Sequence, residues 1–164
     1  MPEEISIIND LLAPTEKKII KFSGEHPSRL LDFIPKLERE ILKIESSDFF
    51  EDSIKWDNSG NPISFYAEWR AKQEQDNYTE LWIKTIVQGT QDSSTKKGEV
   101  MIVLTGFLRT KFTPKTFLHY LFFLMYMKLF YHKQREIYVK NGKQKLEEVE
   151  YGIRRLLNVL EQER

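Results

Sequence analysis

Hydrophobic positions change rhythm several times along this chain, and each change predicts an element. Between Pro2 and Pro14, Ile5, Ile8 and Leu12 recur at helical spacing, which predicts a short amphipathic lead-in over 1–14. The stretch KKIIKFSG from Lys17 is β-prone and ends at Gly24. In HPSRLLDFIPKLEREILKIES, the residues Leu30, Ile34, Leu37, Ile41 and Ile44 share one helical face, with Ser28 as N-cap and Pro35 as a kink or a late start.

From Ile54 the period falls to two. In ISFYAEWRAKQE, Ile63, Phe65, Ala67, Trp69 and Ala71 point one way and the polar residues the other, the alternation of a half-buried antiparallel strand. YTELWIKTIVQG alternates as well. Closing the two strands over Gln75-Asp76-Asn77 sets Lys72 opposite Glu80, Arg70 opposite Trp82, Glu68 opposite Lys84 and Tyr66 opposite Ile86. The same register sets Ala71 beside Leu81, Trp69 beside Ile83 and Phe65 beside Val87. In this register the sequon Asn77-Tyr78-Thr79 reads as turn chemistry. A polar loop then leads to GEVMIVLTGFLRTKF, a strand apolar enough to be covered on both sides in its middle, which Pro114 ends.

The stretch from Phe117, FLHYLFFLMYMKLFYHKQREIYVK, is a helix that is apolar on nearly every side, and Asn141-Gly142 suits a left-handed stop. A last short helix over 143–162 carries Leu146, Val149, Ile153, Leu156 and Leu160, a seam of about two heptads. The expected fold is α+β. An antiparallel sheet of four to five strands carries a long C-terminal helix, and 1–164 forms one domain.

Composition narrows the chemistry. The 164 residues contain no cysteine, which excludes a disulfide framework, a thiolate metal site and a thiol nucleophile. The first residues lack the basic start and continuous apolar core of a signal peptide, so a cytoplasmic location is expected. Basic and acidic residues balance at 25 each. A neutral chain gathers no polyanion, and no nucleic acid is expected as a partner. The distribution is uneven, with nine basic residues against one acid between Thr105 and Lys145, and thirteen acids against eight bases up to Gly60. Such halves read as complementary faces, or as a place for an anion.

No enzyme signature emerges. The nucleophile elbow, P-loop, dinucleotide fingerprint and zinc spacings are absent, so no catalytic residue, cofactor or metal is assigned. His119 and His132 stand thirteen residues apart, about 140° around a helix, and cannot share a ligand. Lys128, His132 and Arg135 fall at i, i+4 and i+7, a basic stripe that Lys111 and Lys115 could join at the strand-helix junction. Its reach includes a phosphate or carboxylate headgroup.

The sixteen residues from Thr116 to Tyr131 are too few for a transmembrane span, which needs about 20. A helix apolar all round must be covered all round. Phe123, Met127 and Phe130 lie on the side that a single sheet would leave bare. The last helix folded back, an apolar or lipid-like ligand, a membrane surface or a second copy in a homodimer would each cover them. The reading that follows is a non-enzymatic interaction module that uses this helix for self-association or partner binding.

The element order resembles the helix-grip (START/polyketide-cyclase-like) superfamily, in which a curved sheet wraps a long C-terminal helix, although fewer strands are counted here. That resemblance implies a carrier of a lipid or other apolar anion, with Lys128, His132 and Arg135 at its mouth and Phe123, Met127 and Phe130 along its wall. The segments WDNSGNPISFYAEWRAK, WIKTIVQG, GEVMIVLTGFLRTKF and FYHKQREIYV are similar to a group of uncharacterised archaeal proteins, over about Ile54 to Val139. That likeness implies no activity.

Overall fold

The computed structural model describes residues 3–13 and 17–162. Six strands form one antiparallel sheet: β1 (Ile5–Asp10), β2 (Lys18–Glu25), β3 (Phe49–Asp57), β4 (Ile63–Glu74), β5 (Thr79–Gln91) and β6 (Lys97–Phe112). The path runs β1-β6-β5-β4-β3, and β2 also pairs with β6. Strand β6 is long enough to serve two partners along one edge. Its C-terminal half pairs with β1 from Phe107 to Phe112, and its N-terminal half pairs with β2 from Lys97 to Leu104.

The expected lead-in helix is therefore a strand over its central residues, and the sheet has six strands where four to five are expected. In β1, Ile5 and Ile7 are half-buried while Ile8 is exposed. Pairing to the free edge of β6 satisfies the backbone of this short segment, and that long-range term outweighs a helical spacing of only three residues.

The hairpin of β4 and β5 keeps both predicted faces but pairs two residues out of the expected register. Lys72 stands opposite Trp82, Arg70 opposite Lys84, Glu68 opposite Ile86 and Tyr66 opposite Gln88. On the inner face Ala71 meets Ile83, Trp69 meets Thr85 and Ala67 meets Val87. The loop is longer than expected because the Asp76 side chain accepts the amides of Tyr78 at 2.7 Å and Thr79 at 2.9 Å, which closes a wider turn. A shift of two preserves the pleat, so the expected contacts survive as diagonals. Lys84 still reaches Glu68 at 2.6 Å, and Arg70 still lies 5.4 Å from the Trp82 ring.

The outer face of the sheet covers itself. Phe50, Trp82 and Phe107 stack across β3, β5 and β6, and Arg70 and Arg109 lie over Trp82 while pairing with Asp52 and Glu80. The tryptophan is buried there without a second layer of backbone.

The inner face is closed by two helical segments. Helix α1 (Leu30–Leu42) follows a 3-10 turn at Pro27–Arg29, and it buries Leu30, Ile34 and Leu42. The expected cap at Ser28 is inside that turn, where its amide donates to Gln91 Oε1 at 3.1 Å. The C-terminal helix runs unbroken from Phe117 to Gln162, 46 residues, as α2 (Phe117–Tyr126), a π turn (Met127–Tyr131) and α3 (His132–Gln162).

The expected stop at Asn141-Gly142 and the separate helix over 143–162 are not found. Gly142 lies within α3, and a Cβ there would sit 3.0 Å from Leu11 and 3.2 Å from Leu81. Its role is close approach of helix to sheet, which needs no positive φ. Beyond it Leu146, Val149, Ile153, Leu157 and Leu160 are buried, with Leu157 in the place expected of Leu156. That seam packs on the sheet and on α1, with Leu37 and Ile41 closing on Gly152.

Candidate interaction surface

The end of β6 and the start of the long helix make a projecting arm. Pro114 lies just past the end of β6, and Thr116 caps α2 by accepting the His119 amide at 3.1 Å. His119 Nδ1 in turn accepts the Lys115 amide at 3.3 Å, and its ring stands edge-on to Phe112. His119 is thus part of a helix cap.

Two residues fasten the arm to the sheet. Phe123 is buried against Phe112, ring on ring, with Tyr78 beside both. Eight residues later Tyr131 is buried, and its hydroxyl donates to the Asp76 carboxylate and shares a 2.7 Å hydrogen bond with Thr79. In a regular α-helix eight residues turn 800°, which would leave Tyr131 about 80° away from the Phe123 side. The π turn at Met127–Tyr131 advances less per residue and brings both rings to the sheet.

The hydroxyl network continues from there. Thr79 bonds Thr110 at 2.8 Å, Arg135 Nε donates to Thr110 at 2.9 Å, and Arg135 Nη2 donates to Asn9 at 2.6 Å. Burial raises the Asp76 carboxyl, but the Tyr131 hydroxyl and the two turn amides more than offset it, so its pKa lies below the ordinary value. The Tyr131 phenol is pushed far up by burial and by that same carboxylate. The pair is locked as neutral phenol and anionic carboxylate.

Because the arm touches the sheet along one line only, the rest of its circumference is bare. Nine large apolar side chains between Phe117 and Phe130 are exposed, among them Phe117 at 73%, Leu118 at 61%, Phe122 at 60%, Met125 at 57% and Phe130 at 68%. The residues expected to fold back on them do not, because the arm continues into α3 as one helix. A groove of about 580 Å³ opens beside the tip of the arm, lined by Glu3, Glu4, Ile5, Phe117 and Tyr120.

The six residues singled out from the sequence separate. Phe123 is covered by protein, Met127 is half-buried and Phe130 is exposed. Lys128 and His132 are exposed, with His132 Nε2 3.2 Å from Glu136, while Arg135 turns inward to Thr110 and Asn9. The π turn changes the phase within the expected stripe, so the three basic groups do not converge on one headgroup. Among the described residues no three of His, Asp and Glu gather to hold a metal ion. No helix among them is long and apolar enough to cross a membrane.

One polar group went unnoticed in the sequence. Glu38 is fully buried, its carboxyl bonded to Thr85 on β5, and burial pushes its pKa up to about 8 although the Thr85 hydrogen bond acts the other way. Its second oxygen and the buried indole N–H of Trp69, the cross-strand neighbour of Thr85, have no hydrogen-bond partner among the described residues. The spacing of Leu30, Ile34, Glu38 and Leu42 at fours placed it on the apolar face, and that was the available signal.

No protein-family model matches this chain, and no curated protein does. Eight solved chains match; one is an uncharacterised protein from Rhizobium leguminosarum, 10% identical, with 87% of this chain and 98% of that one covered and a TM-score of 0.22.

Proposed function

We propose that this protein is a non-enzymatic interaction module, and that the arm of α2 and the π turn is its contact surface, used for self-association. The observation that carries the reading is the ring of exposed apolar residues on a helical arm whose only buried side chains, among the described residues, are Phe123 and Tyr131. Aromatic and methionine side chains are enriched in the cores of protein interfaces, and a patch this large is rarely left to water. The test is the concentration dependence of the molar mass by sedimentation, for the protein and for Phe122→Asp. A dimer that becomes a folded monomer on this change supports the reading; a dimer that persists refutes it.

A second reading follows from the groove beside the tip. Its volume falls within the range of small-molecule sites, about 300–1,000 Å³. An apolar ligand would lodge against Ile5, Phe117 and Tyr120, with Glu3 and Glu4 at the rim disfavouring an anion. The helix-grip carrier reading would then move from the space between sheet and helix, which Leu146, Val149 and Ile153 occupy, to this groove. Native mass spectrometry decides between them: a single chain carrying a few hundred extra daltons, lost on denaturation, supports the carrier.

A further inference from the structure

We infer that the arm is covered by the arm of a second copy running antiparallel to it, so that Glu3 and Glu4 of each chain face Lys128 of the other; this rests on the self-association reading above. Three observations lead there. The first is area. The nine bare side chains leave on the order of 1,000 Å² of mostly apolar surface, taking roughly 200 Å² for each full side chain. A stable interface takes about 800 Å² from each partner.

The second is shape. A helix that lies on a lipid surface keeps one polar face for water. Here Leu118, Leu121 and Met125 point away from Phe123 while Phe122 and Leu124 point sideways, so no polar face exists between Phe117 and Met127. Two acids at the tip would also meet anionic lipid with the wrong sign.

The third is charge. Glu3 and Glu4 stand at the tip beside Phe117 and Tyr120, and Lys128 stands at the base, about 16 Å along the helix. Among the described residues none of the three has an ion-pair partner. A parallel pair of arms would set acid against acid and lysine against lysine. An antiparallel pair about a two-fold axis sets each acidic tip against the other's basic base, the self-complementary arrangement that a closed dimer requires. The midpoint between tip and base puts that axis between Leu121 and Met125, on the side opposite Phe123.

Single cysteines read the arrangement directly, because the chain has none of its own. Under mild oxidation Met125→Cys is expected to form a covalent dimer, since the two copies of that position approach each other at the axis. Leu118→Cys is expected not to, since its copies lie about 15 Å apart along the arm. Both positions are exposed, and an unchanged melting curve confirms folding. Lys128→Glu should weaken the dimer about tenfold or more at low salt, and Glu3→Lys with Glu4→Lys in the same chain should restore it. Cross-linking of Leu118→Cys as readily as Met125→Cys overturns the antiparallel order and leaves self-association standing. A wild-type monomer at every concentration overturns both. A monomer that floats with anionic phosphatidylglycerol vesicles assigns the arm to lipid, and overturns both as well.

Discussion

The ring of Phe112, the last residue of β6, lies flat against that of Phe123, with centroids 3.7 Å apart and planes 4° from parallel. Eleven residues apart in sequence, the two fix the direction in which the arm leaves the sheet. Phe123→Ala should lower the unfolding free energy by about 3 kcal/mol, as for other buried phenylalanines. Urea denaturation measures it. A loss under about 1 kcal/mol would mean that the stack contributes little. Phe123→Asp, attractive from the sequence as an interface probe, tests folding, because this side chain is an anchor.

The second anchor is polar. Tyr131→Phe leaves Asp76 and Thr79 without their phenol, a cost of about 1–3 kcal/mol. The effect should be local, with faster amide hydrogen exchange from Leu124 to Tyr131 and unchanged protection in the middle of β5. Unchanged exchange in the arm would show that Phe123 holds it alone.

Glu38 makes stability depend on pH with a definite sign. Its folded pKa of about 8 lies above the ordinary value of 4.5, so between those values the folded state holds a proton that the unfolded state has lost. The stabilising contribution is full below pH 4.5 and is lost progressively as pH rises to about 8. Glu38→Gln should flatten that slope and raise the midpoint of urea unfolding at pH 8. Parallel profiles for the two proteins would show that the carboxyl does not titrate in this window.

Gly142 tests the packing of helix on sheet. Gly142→Val would drive methyl groups into Leu11 and Leu81, and should cost about 1–3 kcal/mol despite the better helix propensity of valine. The thermal midpoint measures it. An unchanged midpoint would place the helix further from the sheet.

Much of the architecture was legible wherever periodicity ran long. From Ile63 to Lys72 the residues of β4 alternate without a break, and both faces of the hairpin follow from that pattern. Its register did not follow, because pairing by two more residues preserves the faces and the choice lies with the Asp76 side chain in the turn. Asn141-Gly142 reads as a helix stop, since local sequence carries no record of Leu11, 131 residues earlier, approaching Gly142. The arm was legible as an apolar helix, and the loss of the Lys128, His132 and Arg135 stripe came from one π turn that answers to Tyr131 and Asp76.

The sequence by itself determined the α+β class, the inner and outer faces of the strands and a helix that is apolar on nearly every side. These depend on side-chain alternation and composition, which are local properties. Tertiary structure alone decided that β1 is a strand, that the last 46 residues of the described chain form one helix, and which of its apolar residues are anchors and which are bare. Each of those outcomes turns on partners distant in sequence: the free edge of β6, the leucines against Gly142, and the carboxylate that Tyr131 reaches.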